Sequence, residues 1–121
     1  MSALVWVGVV LLGGTGSVLR FLVDGAVASR AGKSFPFGTL TVNLSGAVLL
    51  GLVTGLALNH GAALVAGSAT VGSYTTFSTW MLETHRTSEE RQPGVAAANI
   101  VVSLVFGVAA AALGRLIGAA L

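Results

Sequence analysis

Charged side chains interrupt the chain so rarely that three long neutral runs remain, residues 1–19, 34–82 and 92–114. A hydrocarbon core about 30 Å thick takes about 20 mostly apolar residues per helix. The middle run, 49 residues long, has room for two such segments, and the polar turn Asn59-His60-Gly61 divides it. The pattern predicts an all-α membrane protein, a single domain over residues 1–121 with four transmembrane helices near 3–29, 38–58, 62–84 and 94–119. The connections 30–37 and 85–93 then lie on one side of the membrane, and both termini and the Asn59 turn on the other. Ala26-Val27-Ala28 has the small-x-small pattern of a signal cleavage site, but no basic segment precedes it and Arg20 and Asp24 would interrupt the apolar region. The first segment is therefore read as a span.

Polar positions inside the apolar runs are few and clustered. Residues 70–79 read Thr-Val-Gly-Ser-Tyr-Thr-Thr-Phe-Ser-Thr, and seven of these ten side chains carry hydroxyls. An unbroken helix would turn some of them toward lipid. Bonds from hydroxyls back to the helix's own carbonyls would ease that cost, yet Gly72 and the polar residues after it weaken helix propensity. Non-helical backbone is tolerated at membrane depth where it is buried or lines a cavity, so the tract predicts a break in the third helix near residues 72–76. Freed carbonyls there suit a cation, and freed N–H groups an anion. Asn43 lies about one and a half turns into the second segment, and Asn99 and Ser103 share a face of the fourth. Each fits interhelical hydrogen bonding or a cavity lining. The spacings Gly51-xxx-Gly55 and Gly114-xxx-Gly118 let helix backbones approach closely, within a bundle or between subunits.

Composition sharpens the class. Only 8% of residues are charged and mean hydropathy is +0.92, against roughly 25% charged in soluble domains. The absence of cysteine removes disulfides and thiolate chemistry. Six basic residues against four acidic ones form no basic face, so nucleic acid is not an expected partner. His60 and His85 have no metal-ligand spacing, the serines have no base within their spans, and the carboxylates Glu83, Glu89 and Glu90 cluster at a helix end and in a loop. Neither catalysis nor proton coupling through an intramembrane carboxylate is supported. Arg20, Arg30, Lys33, Arg86 and Arg91 belong to one membrane side and Arg115 to the other, which places the two charged loops in the cytoplasm.

Three ordered motifs carry a resemblance over the whole chain. Gly13-Gly14-Thr15-Gly16-Ser17-Val18-Leu19-Arg20, the Gly38 to Gly46 segment with Gly-Thr-Leu-x-x-Asn, and Thr75-Thr76-Phe77-Ser78-Thr79 resemble the signatures of the CrcB/Fluc fluoride channels. The resemblance implies an antiparallel dimer in the bacterial plasma membrane with two narrow pores, through which fluoride leaves the cytoplasm down its electrochemical gradient. It implies one structural sodium ion, held by the backbone carbonyls of Gly72 and Thr75 from each subunit. Pore-lining roles fall on Asn43, Phe77, Ser78, Thr79 and Ser103. Neutral amide and hydroxyl donors replace the fluoride hydration shell without trapping the ion, and aromatic edges carry positive partial charge.

Two positions depart from the family pattern. Trp80 stands where a second pore phenylalanine is expected, and Asn99 where helix 4 often carries an aromatic residue. Trp80 offers an N–H donor and a positive edge, together with bulk that narrows a pore. With the one-sided charge distribution, this opens a second reading, in which the chain pairs with an inverted paralogue rather than with a copy of itself. A small multidrug exporter would have similar size, but residues 1–19 lack the glutamate it would use. A holin-like or purely structural membrane protein, its hydroxyl tract serving for packing, is the remaining alternative.

Overall fold

The computed structural model describes residues 2–32 and 34–121, mostly helical, with no strand among them. Helix α1, Ala3–Ala31, begins where the Ser2 hydroxyl accepts from the Val5 N–H at 3.3 Å, and stops at Gly32, whose φ of 80° needs a residue without Cβ. Helix α2, Phe37–Gly55, follows Pro36. The chain then re-enters through Asn59, whose side chain caps α3, His60–Ala63, at the Ala62 N–H (2.9 Å). A π-helical segment, Leu64–Val71, continues into α4, Gly72–Tyr74. After an interruption over residues 75–77 come α5, Ser78–Glu89, and α6, Pro93–Ala120, with proline in its first turn.

Glycine determines which helices meet. Gly51 and Gly55 of α2 face the α6 backbone around Ala111 and Arg115, and Gly114 and Gly118 of α6 face Val48 and Leu52 of α2. Both small-residue spacings are thus used within one chain, in a reciprocal crossing of α2 and α6. On the other side of α2, Gly38 fits against Asp24 of α1 and Gly46 against Thr75. Gly16 brings α1 against the Thr70 carbonyl and the Ser73 hydroxyl. The π-helical turn has a local signature in the Thr70 hydroxyl, which donates to the carbonyl five residues back, Val65, at 2.7 Å.

Ala3–Ala31, Phe37–Gly55 and Pro93–Ala120 are each long and apolar enough to cross a membrane. Leu4, Phe21, Val108 and Leu116 point outward, each at least 70% exposed, while the buried apolar core holds little more than Val42, Ala69, Val71 and Ala96 among the described residues. The outward faces are suited to lipid or another subunit, and the chain is an all-α, multi-pass membrane protein.

Several boundaries differ from expectation. Helix α2 ends at Gly55 rather than 58, because Ala57 adopts a positive φ of 52°. The third segment starts at His60, breaks at 75–77 and runs on to Glu89, so residues expected in a loop are helical. Their charges explain the extension: His85 Nε2 contacts Glu89 Oε1 at 3.1 Å and Arg86 Nη1 contacts Glu90 Oε1 at 3.3 Å, both one turn apart.

Candidate functional site: a clamped helix break beside a cavity

The site begins as a fault in the backbone. Thr75 is extended, with φ −78° and ψ 163°, which ends α4. Two side chains then capture N–H groups that a continuous helix would use. The Thr76 N–H donates to Asn43 Oδ1 at 2.8 Å, and the Thr79 N–H donates to Thr76 Oγ1 at 3.1 Å. In an α-helix those donors would serve the carbonyls four residues back, Gly72 and Thr75. Neither carbonyl receives that bond. Asn43 completes the clamp by donating from Nδ2 to the Thr76 carbonyl at 2.9 Å. A residue on α2 thereby satisfies both backbone groups of Thr76, which is only 8% exposed.

A cavity of about 610 Å³ opens on this fault, lined among others by Asn43, Gly72, Thr75, Phe77, Trp80 and Ser103. Phe77 is 70% exposed. Its ring meets Trp80 edge to face, with centroids 5.7 Å apart and planes at 82°. Trp80 is tied to α6: its Nε1–H donates to the Asn99 carbonyl at 3.0 Å, and Asn99 Nδ2 donates to the Trp80 carbonyl at 3.3 Å and to Thr84 Oγ1 at 2.9 Å. The Ser103 hydroxyl, one turn further along α6, is buried and has no hydrogen-bond partner. The lining residues therefore bring together an aromatic ring, one amide N–H of Asn43 beyond that given to Thr76, and a serine whose hydroxyl is uncommitted.

Residues 7–115 match the family described as CrcB-like protein, Camphor Resistance (CrcB). The chain belongs to the CrcB family. Three relatives carry names in keeping with this. "Fluoride-specific ion channel FluC 2" of Mycolicibacterium paratuberculosis (strain ATCC BAA-968 / K-10) is 69% identical over 111 residues, 92% of this chain and 91% of that protein. The protein of the same name from Mycobacterium tuberculosis (strain ATCC 25618 / H37Rv) is 62% identical over 115 residues, 95% of this chain and 91% of its own length. "Fluoride-specific ion channel FluC 1" of Leifsonia xyli subsp. xyli (strain CTCB07) is 41% identical, covering 98% of this chain and 89% of that protein.

The cavity of this CrcB chain brings together Asn43, Gly72, Thr75, Phe77, Trp80 and Ser103. Thr79 lies elsewhere, in a cavity of about 220 Å³ with Ser17, Arg20, Asp24, Thr39 and Thr76. Ser78 is exposed, with its hydroxyl 3.4 Å from that of Thr76, and lines neither. Asn99 uses the interhelical option open to it, pairing with Trp80 and Thr84. Sequence reasoning treated Thr76 as one hydroxyl among many and missed it as the hub of the break. The Thr39 hydroxyl's bond to Glu83, joining α2 to α5, was also missed. No local signal marks either, since both partners are distant in sequence.

Proposed function

We propose that this chain conducts fluoride out of the cytoplasm across the plasma membrane. It acts as a four-span subunit of a dimer in which two subunits lie antiparallel. The observation that carries the reading is one cavity lined by Phe77, Asn43 and Ser103, whose hydroxyl has no partner, with no cationic group among its lining residues, in a chain 62–69% identical to proteins named fluoride-specific ion channels. Fluoride is small and hard, so leaving water requires strong replacement donors, and neutral ones exchange the ion without holding it. Trp80 lines the same path. Ser78 and Thr79 flank it on the first turn of α5, Thr79 toward the cavity that contains Arg20.

The test is fluoride efflux from liposomes containing the purified chain, read with a fluoride electrode. Phe77→Ile, which removes the aromatic edge while keeping bulk, is expected to slow efflux about tenfold or more. Wild-type protein that passes no fluoride, alone or with a paralogue, would sink the proposal. Pairing with an inverted paralogue is a second reading, favoured by the bias of Arg20, Arg30, Lys33, Arg86 and Arg91 to one side. Full efflux from this chain alone would remove the obligate form of it.

The free carbonyls of Gly72 and Thr75 fit a hard monovalent cation, which takes oxygen ligands from unwound helix backbone. In the dimer these two carbonyls from each subunit would hold one structural sodium ion, which supplies positive charge that ties the subunits at their breaks and is not transported. Exchange of sodium for N-methyl-D-glucamine is expected to lower the melting temperature of the purified dimer by several degrees, measured by scanning fluorimetry. Equal melting in both cations would remove sodium from the proposal.

A further inference from the structure

Serine and threonine hydroxyls in this chain generally bond back to a helix carbonyl. Thr15 donates to Leu11 at 2.8 Å, Thr54 to Leu50 at 2.9 Å, Thr84 to Trp80 at 2.9 Å and Thr87 to Glu83 at 2.9 Å, each four residues back. The corresponding acceptor for Ser103 is the Asn99 carbonyl. Ser103 does not use it, and its buried oxygen has no partner.

The reason lies across the helix pair. A carbonyl oxygen has two lone pairs. On Asn99, one accepts the Ser103 N–H as the ordinary helical bond, since both residues lie inside α6. The other accepts the Trp80 indole Nε1–H at 3.0 Å. The indole thus crowds the acceptor that the Thr15, Thr54, Thr84 and Thr87 hydroxyls use at the same spacing, and the Ser103 oxygen, like the buried Asn99 Oδ1, has no partner. Ser103 itself lines the 610 Å³ cavity. The indole is itself held in place. Asn99, 1% exposed, donates its amide to the Trp80 carbonyl and to Thr84 Oγ1. The Trp80 carbonyl can only accept, so the amide nitrogen must face it and the clamp has one orientation.

Resting on the fluoride reading above, we infer that Trp80 is a positioning residue whose indole N–H keeps the Ser103 hydroxyl free to donate to the passing anion. The sign of the effect follows from the single proton of a hydroxyl. Donated to the Asn99 carbonyl, it would leave only oxygen lone pairs toward the cavity, which repel an anion. Left free, it is an anion ligand. The tryptophan at this position thus supplies a donor setting that a phenylalanine, having no N–H, does not. The same clamp fixes the ring against which Phe77 rests.

The test is a double-mutant cycle in liposomes with the full chain, using initial fluoride efflux rates. Position 80 carries Trp, Phe or benzothienylalanine, an isostere of tryptophan with sulfur in place of the N–H, and position 103 carries Ser or Ala. Ser103→Ala should slow the wild-type chain about tenfold, the scale of one hydrogen bond to a charged group. Either replacement of Trp80 should slow it similarly, and adding Ser103→Ala to either should change the rate less than about twofold. The isostere keeps the indole shape, so a role limited to packing would leave it at the wild-type rate, and that result overturns the inference. So does an equal effect of Ser103→Ala in all three backgrounds. In both cases wild-type efflux leaves the fluoride reading standing, whereas absence of wild-type efflux overturns both. Should Trp80→Phe fail to fold, as judged by size-exclusion chromatography, the isostere arms decide.

Discussion

Asn43→Leu is expected to destroy both the folded channel and its fluoride efflux, and Asn43→Asp to preserve much of the fold while removing the efflux. The two outcomes separate because Asn43 does two things. Its Oδ1 and Nδ2 satisfy the N–H and C=O of Thr76 at 2.8 and 2.9 Å, a buried pair of backbone groups that the broken helix cannot satisfy itself. Leucine fills the space and leaves both unpaired. At about 1–3 kcal/mol for each orphaned group, the loss is about 2–6 kcal/mol, a large share of a stability that is typically about 5–15 kcal/mol. Aspartate still accepts from the Thr76 N–H but cannot donate to the Thr76 carbonyl. It also places negative charge on the wall of the proposed anion path. At about 4 Å and an effective dielectric near 20, that repulsion is about 4 kcal/mol, so efflux at neutral pH should fall by about a hundredfold or more. Size-exclusion profiles and liposome efflux of both variants give the answer. Near wild-type efflux from Asn43→Asp would reduce Asn43 to a cap on the break and take it out of the fluoride path.

How this clamp forms also shows what the chain reveals by pattern and what it conceals. The density of hydroxyls between Thr70 and Thr79 required a break, because a regular helix has no way to hide them all. The structure places it at 75–77, slightly beyond the expected 72–76. What the pattern did not reveal was the donor and acceptor that make the break tolerable. Asn43 and Thr76 are 33 residues apart, and nothing local to either names the other. The interruption also resets the helical phase, so spacing from Thr75 could not show that Phe77 and Trp80 would face one cavity and Thr79 another. Trp80 and Asn99 were legible only as two separate departures from a family pattern. Their mutual hydrogen bonds make them one feature. The charges after Glu83 looked like a loop because they are dense, yet their spacing of four was already the signature of a helix end.

The glycine spacings posed a different problem, since Gly51-xxx-Gly55 and Gly114-xxx-Gly118 read the same whether the partner is the chain's own helix or another subunit's. Their use inside the chain leads to the second large expected effect: Gly51→Val or Gly114→Val should abolish recovery of folded protein. A Cβ on Gly114 would overlap the Val48 carbonyl oxygen, and one on Gly51 would overlap the Ala111 carbonyl oxygen. These are backbone atoms, which cannot rotate away as a flexible side chain would. The helices must separate, and in lipid that separation is costly because the contact is held by close packing rather than by exclusion of water. Overpacking of about 1–3 kcal/mol or more then falls on the pair that anchors α6, the helix carrying Asn99 and Ser103. The appropriate controls are Gly25→Ala and Gly94→Ala, where an added Cβ meets nothing within 4 Å. Both should retain efflux, with the gain in helix propensity of alanine over glycine in their favour. A Gly114→Val protein that elutes and conducts like wild type would show that the α2–α6 crossing is not what holds the subunit together.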